Sequence, residues 1–461
     1  MKRVNLTSVL CWVGAGVFLS ALMVNRVSAI AFAKTFGGSS NDRALSVQQT
    51  SDGGYIVAGG TGSFGAGYDD VFLLKTDASG NLQWAKTFGG SYWDYAYSVQ
   101  QTSDGGYILA GETWSFGALD PDVFLLKTDA SGNLQWAKTF GGSSGDYAYS
   151  VQQTSDGGYI VAGGTGSFGA GDPDVFLLKT DASGNLQWAK TFGGSSGDYA
   201  YSVQQTSDGG YIVAGYTLSF GAGGDVFLLK TDALGNLQWA KTFGGSDWDY
   251  AYSVQQTSDG GYIVAGLTLP FVAEWEDVFL LKTDASGNLQ WAKTFGGSYY
   301  EEARSVQQTS DGGYIVAGYT GSFGAGVFDV FLLKMDASGN LQWAKTFGGS
   351  SYNYAYSVQQ TSDGGYIVAG VTSSDVFLLK TDANGNIGTC AIVGSATPTV
   401  NTPSPTETST TPNVDSPTPN TTTPTVTETS PTLTVNEPCP LSISEGQRFD
   451  GCFADVLRVG K

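Results

Sequence analysis

From residue 30 to 387 the chain alternates short apolar runs with polar, glycine-rich turns, and the whole alternation recurs about every fifty residues. The copy beginning at Asn81 shows the plan. Asn81-Leu-Gln-Trp-Ala-Lys-Thr-Phe88, Tyr97-Ser-Val-Gln-Gln-Thr102, Tyr107-Ile-Leu-Ala-Gly-Glu-Thr113 and Asp122-Val-Phe-Leu-Leu-Lys-Thr128 are runs of strand length, rich in β-branched and aromatic residues. Gly89-Gly90, Ser103-Asp-Gly-Gly106 and Asp129-Ala-Ser-Gly-Asn133 supply the turn chemistry between them. No segment sustains a 3.6-residue apolar period, so the pattern predicts an all-β chain.

Ala-Lys-Thr-Phe-Gly-Gly starts at Ala33, Ala85, Ala137, Ala189, Ala240, Ala292 and Ala344, at steps of 52 residues with a single step of 51. A fixed period of this length means one supersecondary unit repeated, each copy burying its apolar face against its neighbours. Four antiparallel strands repeated seven times predict a seven-bladed β-propeller; a β-solenoid and a double-sheet sandwich array are the alternatives. The ends of the repeat region favour the propeller. The seventh copy stops at Asn384-Gly-Asn-Ile387 without a Trp-Ala-Lys-Thr-Phe strand, and Ile30-Ala-Phe-Ala-Lys-Thr-Phe36 supplies the missing one. A ring closed by its N-terminal strand explains both ends, whereas an open solenoid needs capping repeats.

Thr76-Asp-Ala-Ser-Gly-Asn-Leu-Gln-Trp84 resembles the tryptophan-docking motif of quinoprotein-like propellers, with a turn one residue shorter. The whole repeat is similar to the β-propeller repeats of prokaryotic secreted and surface proteins. The first resemblance implies that Trp84, Trp136, Trp188, Trp239, Trp291 and Trp343, with Phe32 in the seventh place, wedge between adjacent blades. It does not bring a cofactor. The quinone-dependent enzymes of that family typically have eight blades and a paired-cysteine site, while this chain has seven repeats with no cysteine inside them.

Four segments divide the chain. Residues 1–29 read as a signal peptide: Lys2 and Arg3, an apolar stretch from Val9 to Val24, and the small-residue site Val27-Ser28-Ala29. That leaves no transmembrane segment and predicts a secreted or surface location. Residues 30–393 form the propeller. Residues 394–438, rich in Thr, Pro and Ser, carry too little apolar surface for a core and predict a disordered, polyproline-like stalk, spanning about 130 Å at ~3.1 Å per residue. Residues 439–461 are too few for a core of their own and read as a short cysteine-containing cap or a truncated module.

Charge narrows the partners. Removing Lys2, Arg3 and Arg26 from 22 basic residues leaves 19 against 42 acidic ones, a balance that disfavours nucleic acid and anionic membranes. The chain has no histidine, which excludes histidine triads, histidine metal sites and imidazole catalysis. Cys390, Cys439 and Cys452 remain after cleavage, and Cys439–Cys452 would close the shortest disulfide loop.

Comparison of the copies separates two kinds of connection. Thr-Ser-Asp-Gly-Gly and Asp-Ala-Ser-Gly-Asn barely change, whereas the loop after Phe-Gly-Gly and the loop between the third and fourth strands of each copy vary. In a meander these alternate, so the constant turns share one face of the disc and the variable loops share the other. Loops on a rigid scaffold carry binding. The variable face offers Tyr92, Trp93, Asp94, Trp114, Asp247, Trp248, Asp249, Trp275, Glu276, Tyr299, Tyr300, Glu301 and Tyr352 as candidate ligand contacts. Aromatic faces beside carboxylates suit sugar rings and protein hot spots.

One aligned position reads Asp42, Asp94, Asp146, Asp198, Asp249, Glu301 and Asn353. Either these side chains bind their own turn backbone, or they form a ring attracting a cation such as Ca²⁺. Asp247, Asp249, Glu274 and Glu276 are the densest candidate cluster. No other cofactor is predicted. Only Arg43 and Arg304 are basic at variable positions, too few and too far apart for a sialidase-like arginine cluster. Glu274, Glu276, Glu301 and Glu302 are the carboxylates available to a glycoside hydrolase, whose chemistry needs a facing pair. The leading expectation is a non-enzymatic, monomeric binding or adhesion protein for glycan or a surface protein. A structural surface component and an extracellular hydrolase are the alternatives.

Overall fold

The computed structural model describes residues 31–170, 173–269 and 275–387, together with seven short segments between 393 and 436. The proposed signal peptide and the segment from 437 onward lie outside the described residues. The repeats form a seven-bladed propeller of antiparallel sheets, with no helix among the described residues.

In blade 2 the strands run outward from the axis as Asp94–Gln101, Tyr107–Thr113, Asp122–Thr128 and Leu134–Gly141, each paired with the next. Counting in chain order, blade 1 covers residues 42–89 and blade 6 covers 301–347. Blade 7 supplies only Asn353–Gln360, Tyr366–Thr372 and Asp375–Thr381 from its own copy. Its outer strand is Phe32–Gly37, with Phe32 opposite Lys380 and Phe36 opposite Val376.

The two middle strands of blade 2 are buried at every residue, because a propeller sheet is covered on both faces by its neighbours. Each apolar cluster therefore belongs to two blades: Ile56 and Leu73 of blade 1 pack with Tyr107 and Leu126 of blade 2. Trp84 is partly buried at the same junction, its ring 5.9 Å from Tyr107 of the next blade. Trp136, Trp188, Trp239, Trp291 and Trp343 repeat this contact at 5.9–6.0 Å, and Phe32 makes it with Tyr55 at 6.0 Å. Gly132 turns beneath Trp84 at φ +79°, where a Cβ would lie 2.7 Å from the indole. The turn geometry and the overlying ring both require glycine there.

Near the axis the blades are tied by side chains. The Gln101 amide donates to the Gln48 side-chain oxygen at 2.5 Å, and Val99 N donates to Ser46 Oγ at 3.1 Å. Blade 1 closes onto blade 7 in the same way, Gln49 N to Gln359 at 2.6 Å and Val47 N to Ser357 at 3.1 Å.

The Thr/Pro-rich segment builds no core of its own, as its composition predicts, and the parts of it that are described are extended. Seven short strands within it each add a fifth strand to one blade. The residues between those strands lie outside the described residues.

Candidate functional site

The constant face is a set of closed hydrogen-bond networks. In blade 2, Asp104 accepts from Thr102 Oγ1 at 2.5 Å, Gly106 N at 2.9 Å and the buried Lys127 Nζ at 2.9 Å. Burial alone would raise the Asp104 pKa, but the Thr102 hydroxyl, Lys127 and Gly106 outweigh it and hold it at about 2. The same lysine–aspartate pair recurs in every blade, from Lys75–Asp52 to Lys380–Asp363. These residues hold up the repeat.

The variable face differs in kind. Tyr92, Trp93, Trp114, Trp248, Trp275, Tyr299, Tyr300 and Tyr352 are all exposed there, and Tyr68 joins them. They form two aromatic groups. Trp93 stacks on Tyr68 at 4.7 Å and meets Trp114 edge-on at 6.1 Å. Trp275 lies 4.8 Å from Tyr300 and 6.3 Å from Tyr299, and Phe328 continues the group to Tyr352 at 6.0 Å. Trp248 approaches Tyr250 at 5.9 Å. Asp247 is exposed, Glu276 is half-buried, and Glu274 lies outside the described residues.

The aligned carboxylates point inward. Asp42, Asp94, Asp146, Asp198, Asp249 and Glu301 are fully buried. Gly90 N donates to Asp94 Oδ2 at 2.8 Å and Ser115 Oγ donates to it at 2.7 Å. Thr61 and Thr217 hydroxyls donate to Asp42 and Asp198, and Thr320 donates to Glu301 at 2.6 Å. The turn-bonding reading describes this geometry: Asp94, Asp249 and Glu301 shape the loops from beneath and offer no exposed oxygen to a ligand. Asp247 and Asp249 consequently face different environments. Among the described residues no group of three or more His, Cys, Asp or Glu side chains is placed to hold a metal ion.

A second row of carboxylates lies beside the first. Asp70, Asp122 and Asp277 are pushed up to about 6, chiefly by burial, and each has one oxygen with no hydrogen-bond partner. Asp249 rises to about 7 for the same cause. Blade 7 departs from this plan. There Asn353 replaces the aspartate and donates Nδ2 to Asp329 Oδ1 of blade 6 at 3.3 Å.

Beneath the aromatic groups, the axis holds a cup of about 200 Å³ lined by Leu45, Tyr97, Tyr149, Tyr201, Tyr252, Arg304 and Tyr356. These are equivalent positions, and each falls at a β-bulge of the innermost strand. Pairing skips from Ala96 to Ser98 in blade 2 and from Ala303 to Ser305 in blade 6. The bulge re-aims one side chain per blade into the channel. Arg304 is the lone cation of the cup, and 29% of its side chain remains accessible. Its guanidinium stands 4.2 Å over the Tyr252 ring, and Nε lies 2.7 Å from Glu302 Oε1. The Tyr319 hydroxyl donates to the other Glu302 oxygen. Burial opposes the charge on Arg304, but Glu302 outweighs burial and raises its pKa, so the cation persists at every physiological pH. Across the channel Glu112 is pushed up to about 7, mainly by burial.

Sequence reasoning noted Arg304 only as a basic residue at a variable position and did not place it in a ring of tyrosines. The available signal was the column itself, one Leu and one Arg among five Tyr. A neighbouring column, reading Gly60, Glu112, Gly164, Tyr216, Leu267, Tyr319 and Val371, varies as freely as the loops.

No family model matches the chain. It is 29% identical over 210 residues to the regulatory protein FlaEY of Caulobacter vibrioides, a match covering 40% of this chain and 22% of that protein. The chain thus corresponds to less than a quarter of that relative's length. Among solved structures, Sqt1 from Chaetomium thermophilum covers 77% of this chain and 99% of its own, at 9% identity and a TM-score of 0.44. The extracellular domain assigned to the hybrid two component system BT4673 of B. thetaiotaomicron covers 75% of this chain and 41% of its own, at 12% identity and a TM-score of 0.42. Among the described residues no helix is long and apolar enough to cross a membrane.

Proposed function

We propose that this chain is an exported binding protein that recognises a glycan or a surface protein through the variable face of its propeller. One observation carries the reading. Among the described residues, every exposed large apolar side chain except Leu234 belongs to the variable loops. Exposed apolar groups gathered on one face mark interaction surfaces, and aromatic rings with polar edges serve sugars and protein hot spots alike. The tyrosine cup adds depth to the face, with Arg304 as a fixed donor for a carboxylate or hydroxyl group at its floor.

The hydrolase alternative finds less support. Glu301 is committed to its own turn and Glu302 to Arg304 and Tyr319, so neither stands free opposite a second carboxylate. A glycan array with the full chain tests the proposal. Binding to a defined glycan class, weakened at least tenfold in Trp93→Ala or Trp275→Ala at unchanged melting temperature, is the expected outcome. Turnover of chromogenic glycosides would overturn it in favour of an enzyme. Silence on glycan and protein arrays alike would leave the structural-component reading in its place.

A further inference from the structure

We propose that the C-terminal segment is a belt that runs once around the propeller, one heptad per blade, and serves as the chain's own ligand for all seven outer strand edges. The strands are Val393–Ser395, Thr399–Asn401, Thr406–Thr410, Asn413–Asp415, Asn420–Thr422, Thr427–Thr429 and Thr434–Asn436. They pair antiparallel with the outer strands of blades 6, 5, 4, 3, 2, 1 and 7, in that order.

The pitch is constant. The phenylalanines of the seven outer strands, from Phe347 back to Phe36, stand opposite Val393, Val400, Glu407, Val414, Thr421, Glu428 and Val435, seven residues apart at every step. The sequence keeps the same beat. Pro398, Pro405, Pro412 and Pro419 are seven apart, as are Pro417, Pro424, Pro431 and Pro438, and all fall outside the paired strands. Proline cannot donate to a ladder, so its exclusion from these segments marks them as strands. Seven residues of extended chain reach roughly 23 Å at ~3.3 Å each. Seven such steps circle a disc on the order of 50 Å across.

This belongs to strand addition, in which main-chain bonds supply the affinity and the added peptide needs no apolar core of its own. It removes the hazard of seven exposed sheet edges. It also leaves the rim occupied and the variable face open, and it holds whether or not that face binds glycan.

Blade 6 carries the first belt strand and its neighbour, blade 7, carries the last, so the described strands complete one revolution.

Hydrogen exchange on the full chain tests the belt. Outer-strand amides opposite it, such as those of 87–89 and 139–141, should be protected. In a variant carrying both Thr421→Pro and Thr422→Pro, which cannot donate to the ladder, the amides of 139–141 should exchange at least tenfold faster while those of 87–89 stay protected. Free exchange of these amides in the wild-type chain, or no change at 139–141 in the variant, would overturn the belt.

Discussion

The two faces of this propeller are built from the same four strands and behave as opposites. On the constant face the turn groups are bonded within the repeat, as in the Thr102–Asp104–Lys127 network, or to the next blade, as Ser103 N is to Gln153, and a change breaks a closed set. On the variable face the buried carboxylates secure the loop bases, while the loop tips carry exposed rings that bond mainly to one another. Conservation of a motif across the copies therefore reports load sharing between blades. Departure from the motif reports freedom to acquire a ligand. A residue's value for function in this chain is read from how much it differs from its own copies.

The largest disruption should come from the ring closure, which serves both faces at once. Deleting residues 31–37 leaves the third strand of blade 7 as a bare edge, and such edges aggregate. Size-exclusion chromatography should show loss of the monomer, with a melting temperature lowered by more than about 10 °C, since several buried contacts vanish together. Next in size is Trp188→Ala. Its ring bridges two blades but is only partly buried, so the cost should be about 2–3 kcal/mol, below the ~3–5 of a fully buried aromatic. Chemical denaturation reads this directly, and ligand binding by the folded fraction should be unchanged.

A smaller effect separates the faces by pH. Asp70, Asp122 and Asp277 titrate near 6 and Asp249 and Glu112 near 7 in the fold, all raised chiefly by burial. A raised folded pKa means the native state holds protons that the unfolded chain has released. Stability from these groups is complete below about pH 4 and declines as pH rises to about 7. The constant-face carboxylates act in reverse: Asp104, Asp156, Asp208 and Asp311, held near 2, contribute above about pH 4 and lose that contribution in acid. Melting temperature should peak between pH 4 and 5 and fall by several degrees toward pH 8. Asp122→Asn should flatten that fall, and an unchanged slope would show that Asp122 does not carry it. Smallest of all is Trp248→Ala, an exposed loop ring, which should shift stability by no more than about 0.5 kcal/mol. Set beside Trp188→Ala, it tests whether a tryptophan's place in the repeat decides its role.

The blades were legible because period, turn chemistry and the missing seventh strand all pointed to one architecture. The segregation of faces followed from meander geometry alone. The tyrosine cup was not legible, for a physical reason. Strict alternation sends Tyr95, Tyr97 and Val99 to one side of the strand, and only the bulge between Ala96 and Ser98 sets Tyr97 apart. A bulge of this kind leaves no glycine or other marker in Asp-Tyr-Ala-Tyr-Ser-Val. The carboxylate ring was visible as a column, but its direction depends on groups that only the folded loops bring together, Gly90 N from one connection and Ser115 Oγ from another. The tail's composition argues against a core and is silent about strand addition. Its seven-residue beat was present in the prolines all along.

The side-chain ties around the axis have an evolutionary consequence. Gln48 to Gln101 and Gln359 to Gln49 are the same contact, so the innermost ring has no seam. Neighbouring copies are also nearly identical in sequence, so gain or loss of one copy would leave a locally compatible contact at the new junction. The number of blades is therefore not recorded in any single interface. It is held by the whole circuit: by whether the first strand meets the last blade, and whether the circle closes without a gap.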